Sequence, residues 1–244
     1  LNKIFYYELK RMIFNRLFLG MFIVNGIFDW YILTADIITG IAYTAPFSSW
    51  SYGTYLGKAM PIAILTILLL LSGYHGKKQK QIEVLTMTTP VSPTKQMLIQ
   101  TAVLTACFAL LCILTIGIST FFYIRFFQFS ELSAFILPSL LLILPCFVFS
   151  VGLGQLLGRL HQGLIFVFML IVFVIGTCSI QNVFDFFGSG YFSFYPLTLP
   201  INIDGEPDFA VDIVFGIIRL LYFLLGMVFF CIAIQLIKRK PRRA

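Results

Sequence analysis

Charge is what this sequence has least of. Asp and Glu supply 10 of the 244 residues and Lys and Arg 17, so charged side chains reach 11%, well under the roughly 25% of soluble domains. A large water-facing surface is excluded by that shortage. Histidine is rarer still. His75 and His161 stand at the ends of apolar runs, and neither belongs to an H-E-x-x-H or other closely spaced ligand pair. No G-x-S-x-G elbow occurs, and no serine has a base nearby in sequence, so hydrolase chemistry has no visible seat. The phosphate-cradling G-x-x-x-x-G-K-[ST] loop is missing as well. The five cysteines, Cys107, Cys112, Cys146, Cys178 and Cys231, lie inside apolar segments with no C-x-x-C pair; they read as small buried hydrophobes. The chain is therefore not expected to be an enzyme, and no cofactor or metal is expected on it.

Apolar sequence is what fills the chain. The hydrophobic fraction is 59% and the mean hydropathy +0.96, and several runs approach the roughly 20 residues needed to cross hydrocarbon. The expectation is an all-α, polytopic membrane protein forming one transmembrane domain over residues 1–244. Six spans are expected at about 13–33, 52–71, 98–123, 132–153, 164–180 and 211–237. Pro61 should kink the second, and Lys58 lies close enough to its end to snorkel. The first sixteen residues put Leu1, Ile4, Phe5, Leu9 and Met12 on one side, the pattern of a helix lying along a membrane surface. No cleavable leader is expected, because no A-x-A-like site follows the first apolar run.

Basic residues orient the spans. The first sixteen residues, the loop at 73–96, the turn with Arg159 and the C-terminal tail together hold 14 of the 17 Lys and Arg. The positive-inside rule makes that side cytosolic, and an even number of crossings returns both termini to it. The net charge of +7 thus reports topology, and nucleic acid is not an expected partner. The stretch 181–208 is too polar and too rich in Gly and Pro to span. Its rings, Phe184, Phe186, Phe187, Tyr191, Phe192, Phe194 and Tyr195, suit an aromatic belt at the headgroups.

Ionisable groups inside the spans are few. Arg219 lies within the sixth, seven residues after Asp212, and Asp29 lies near the outer end of the first. Either Arg219 snorkels beside an acidic loop, or Asp29, Asp212 and Arg219 are polar contacts on an outward path. The scarcity of deep acids and histidines speaks against proton-driven transport. Gly152, Gly154 and Gly158 end the fourth span, the last two in G-x-x-x-G spacing, which permits a close helix contact within one subunit or between two.

The segment KQIEVLTMTTPVSPTKQ, Lys80 to Gln96, is the most informative polar stretch. Ile82 and Leu85 share a helical face, Thr89-Pro90 breaks the helix, and Ser92-Pro93 caps a new one. It reads as a lever that receives a push, or as an amphipathic loop resting on lipid. A surface helix, six spans, a Glu-x-Leu-x-x-x-x-Pro-x-Ser loop after the second (Glu83, Leu85, Pro90, Ser92) and a polar, aromatic region before the last span occur in that order. That order resembles ABC transporter permeases of the type-two exporter class. The resemblance implies that Ile82, Glu83, Leu85, Thr89, Pro90 and Ser92 form the coupling element to a separately encoded cytosolic ATPase, which would carry ATP and Mg. It implies short re-entrant helices on the outer side between about Phe184 and Asp208. It also implies a second permease copy or related permease as partner and a bacterial cytoplasmic membrane as location. The low density of charge inside the spans favours an amphipathic or hydrophobic cargo such as a peptide, an antimicrobial compound or a lipid. The alternative is a non-transporting membrane scaffold or sensor partnered with a cytosolic ATPase.

Overall fold

A computed structural model describes residues 2–76, 92–177, 185–202 and 207–239. Helices build nearly all of it, and among the described residues the only bridge between extended segments joins Ile201 to Pro207. Helix α1 (Asn2–Ile13) is followed by α2 (Arg16–Ile32), which continues through a π-helical turn at Leu33–Ile37. Helices α3 (Ser49–Tyr74) and α4 (Pro93–Phe127) come next. A 3-10 turn at Leu132–Phe135 leads into α5 (Ile136–Leu160), then α6 (Gln162–Thr177), the short α7 (Ser189–Phe194) and α8 (Ile213–Arg239).

Local chemistry sets these boundaries. Asn15 separates α1 from α2 because its side chain accepts from the Leu17 amide at 3.1 Å, capping a new helix after a break at Phe14. Ser48 caps α3 through the Ser51 amide, and Ser92 caps α4 through the Lys95 amide with Pro93 in the first turn. At the other end of α4, Gln128 turns left-handed with φ 53, and the Phe129 amide reaches back to the Tyr123 carbonyl, which terminates the helix.

Among the described residues, five helical segments are long and apolar enough to cross a membrane: Arg16–Ile37, Ser49–Tyr74, Pro93–Phe127, Leu132–Leu160 and Ile213–Ile237. The run expected as a fifth crossing appears as the 16-residue α6, about 24 Å of helix against roughly 30 Å of hydrocarbon; residues 178–180 lie outside the described segments. The described helices also outrun the expected limits, since α2 carries on to Ile37 and α5 to Leu160.

Helix α3 is the axis of the bundle. Most of its side chains are buried, from Trp50 and Tyr52 at one end to Leu71 and Tyr74 at the other, because α2, α4, α5, α6 and α7 all pack against it. Several of its polar residues are buried there on hydrogen-bond partners from neighbouring helices. Thr66 accepts from Asn25 of α2 at 3.0 Å, and the Tyr55 hydroxyl donates to the Thr115 carbonyl of α4 at 3.0 Å. Helix α8 packs chiefly on α5 and leaves the rest of its surface exposed, while α1 lies against α4.

Candidate functional site

A folded cap sits over the Ser49 end of α3, and glycine makes room for it. A Cβ at Gly57 would stand 2.5 Å from the Ser189 amide nitrogen, and one at Gly53 would overlap the Phe192 ring. These two residues form a G-x-x-x-G pair on α3 that lets α7 lie directly against the helix backbone. Around this seat Trp50, Tyr191, Phe192, Phe209 and Phe215 close into one aromatic cluster. The Tyr191 and Phe215 rings stack at 3.8 Å, and Trp50 meets Phe209 at 4.8 Å. Phe187, Tyr191 and Phe192 are buried, so three of the rings expected in a headgroup belt are instead the core of the cap. The alternation that sends them inward arises from α7 docking on α3, a contact between residues far apart in sequence.

Arg219 fastens the cap to α8. Its side chain is 1% exposed, and its guanidinium donates to the carbonyls of Asp185, at 2.6 Å, and Phe186 while lying over the Phe215 ring at 4.3 Å. The Cys146 thiol of α5 donates to the same Phe186 carbonyl at 3.1 Å. Asp185 turns its carboxylate the other way, accepting from the Phe187 amide at 3.2 Å and the Gly190 amide at 2.6 Å. That arrangement orders the turn through left-handed Gly188, φ 82, and starts α7. Burial raises the Asp185 carboxyl above its ordinary value, against the lowering pull of the amides of Gly190, Gly188 and Phe187 and of nearby Arg219.

Arg219 and Asp212 do not meet in an ion pair. Asp212 caps α8 by accepting from the Val214 amide at 3.1 Å, and its own amide donates to the Tyr191 hydroxyl at 2.9 Å. The partner of Arg219 is a pair of peptide carbonyls about 33 residues upstream, which no spacing rule would find. Asp29 is 1% exposed and accepts from the Thr115 hydroxyl at 2.7 Å. Lys58 does not merely snorkel: it pairs with Asp36 at 2.7 Å, which the π-helical turn after α2 brings alongside α3.

The three glycines of α5 face different neighbours. A Cβ at Gly152 would overlap the Gly226 carbonyl of α8, and one at Gly226 would stand 2.6 Å from the Phe149 Cα, so Gly152 and Gly226 mark a backbone-to-backbone crossing. Gly154 admits Leu68 and Leu71, and Gly158 admits the ring of His75. All three contacts lie within one chain. His75 is buried at the end of α3, its Nδ1 3.1 Å from the Leu71 carbonyl, whereas His161 is exposed and accepts from the Gly163 amide. Cys107 and Cys146 are buried, Cys112 is half-buried and Cys231 is exposed on α8, so burial does not extend to every cysteine.

Comparison with known proteins adds no relative. No family model matches the chain, and no curated protein or solved structure matches it either. Of the expected coupling residues, Ile82, Glu83, Leu85, Thr89 and Pro90 lie outside the described residues, and Ser92 is the cap of α4. Among the described residues no group of three or more His, Cys, Asp or Glu is placed to hold a metal ion.

Proposed function

We propose that this chain is the membrane permease subunit of an ATP-driven exporter of the ABC type, moving an amphipathic or hydrophobic cargo out of the cytosol or inner leaflet. In this reading α6 with the residues after it completes a sixth crossing, both termini face the cytosol of a bacterial cell, and α1 lies along the membrane surface. Two cytosolic ATPase subunits and a second permease, identical or related, complete the complex.

One observation carries the reading. Helix α3 runs without interruption from the seat of the cap at Gly53 and Gly57 to Tyr74, immediately before the loop that holds Glu83 and Pro90. A displacement delivered to that loop is handed to one continuous helical rod of about 39 Å, with Pro61 inside it, whose far end touches the cap. The cap itself is held by Arg219, Asp185 and aromatic stacking, which makes it a unit able to shift as one body. Coupling then requires that the two positions of the rod bind the ATPase dimer differently.

The test replaces Glu83 and Leu85 and measures recovery of the ATPase with the permease and ATP hydrolysis by the complex. Loss of either supports the loop as coupling element; unchanged values for both remove it from the mechanism. Stimulation of the ATPase by an amphipathic compound separates an exporter from a scaffold or sensor.

A further inference from the structure

A cleft of about 500 Å³ lies between the α1–α2 junction and the Tyr74 end of α3. We infer that it holds the phosphate group of one anionic phospholipid of the inner leaflet. Arg11 and Arg16 line it together with apolar Phe14, Leu17 and Leu70. The two guanidinium groups are not equally engaged. Arg11 shares its charge with Glu8, one turn away at 2.8 Å, whereas the Arg16 side chain has no ion pair or hydrogen bond among the described residues. Arg16 is thus a cation with no counterion among the described residues, at the first residue of a helix apolar enough to enter hydrocarbon.

Charge and shape together select the occupant. A guanidinium presents a planar fork of donors that matches phosphate oxygens two at a time. A soluble phosphate would satisfy the arginines but leave the apolar walls wet, whereas a phospholipid places its phosphate on the arginines and its first acyl carbons on Phe14, Leu17 and Leu70. Asp36 lies about 30 Å along the helix from Arg16, one hydrocarbon thickness, so Arg16 stands at the opposite headgroup boundary. Assignment to the inner leaflet rests on the orientation proposed above; the binding itself does not.

The experiment uses the full chain, purified in mild detergent and exposed to mixed phosphatidylglycerol and phosphatidylcholine, with retained lipid counted by native mass spectrometry. The expected result is one phosphatidylglycerol held per chain in preference to phosphatidylcholine, and about fivefold weaker retention in Arg16→Gln. Gly73 also lines the cleft, and a Cβ there meets nothing within 4 Å. Gly73→Phe therefore fills the cleft while leaving both charges in place, and should displace the lipid with thermal stability in phosphatidylcholine unchanged. Equal retention of the two lipids, or unaltered phosphatidylglycerol retention in both variants, overturns the site. Displacement of the lipid by inorganic phosphate at equal concentration also overturns it, in favour of a soluble anion. Tags that place Arg16 at the outer surface overturn the leaflet assignment alone.

Discussion

Arg219 holds the main chain of Asp185: its guanidinium donates to that residue's carbonyl at 2.6 Å, while the Asp185 side chain is spent on the amides of Phe187 and Gly190. A cation and an acid thus cooperate without a direct ion pair between their side chains. One satisfies carbonyls and the other satisfies amides of the same turn, so backbone that leaves the helices stays hydrogen-bonded.

Removing the guanidinium should release that turn. Arg219→Met is expected to lose about 3 kcal/mol, the worth of charged hydrogen bonds to carbonyls left buried. Asp212→Asn, which keeps an acceptor at the helix start, should stay within about 0.5 kcal/mol. Thermal unfolding in detergent distinguishes them; equal losses would return Asp212 to the role of essential partner.

Glycine substitutions should divide by what their new Cβ meets. Gly57→Ala pushes against the Ser189 backbone and Gly226→Ala against Phe149, so each should cost roughly 1–3 kcal/mol. Gly117→Ala meets nothing within 4 Å and should gain up to about 1 kcal/mol from helix propensity. Melting temperatures of the three variants provide the check. A neutral Gly57→Ala would mean that α7 does not sit on α3.

Asp185 should impose a pH dependence of definite sign. Its carboxyl binds protons more readily folded than unfolded because burial raises it. Its contribution to stability is therefore greatest at low pH and declines as pH rises from about 4, the unfolded value, through the raised one. Denaturation of the parent chain followed upward from about pH 4 should lose stability relative to Asp185→Asn. A parallel pair of curves would show that the group titrates normally.

The packing of α4 against α2 brings the Thr115 hydroxyl to donate to the Asp29 carboxylate. Thr115→Val keeps the shape and removes the hydroxyl, leaving a buried carboxyl oxygen unpartnered at a cost of roughly 1–3 kcal/mol. Asp29→Asn in the same background should recover part of that loss. Additive effects of the two changes in a double-mutant cycle would show that the pair does not interact.

Periodic features were legible in the residues. Capping by Ser92 with Pro93, the all-helical class and the five longest apolar helices follow from hydropathy and from rules acting within one helical turn. The extent of α6 was harder to read, because apolar sequence continues past the 16 described helical residues without a stop signal. Nothing in the order of residues says that Ser189 and Phe192 rest on Gly53 and Gly57. Gly152 was legible as a packing residue, but its partner Gly226 lies on another helix.

By itself the sequence determined that the chain is helical and apolar enough along five helices to cross a membrane. Both properties are sums over neighbours in the chain, since each helix satisfies its own backbone and hydropathy accumulates residue by residue. Tertiary structure alone decided that Arg219 clamps Asp185 and Phe186, that the rings of 187–192 turn inward, and that Arg16 faces a cleft. Those outcomes depend on which side chains meet after folding, and desolvation leaves a buried cation no choice but the nearest unpaired carbonyls.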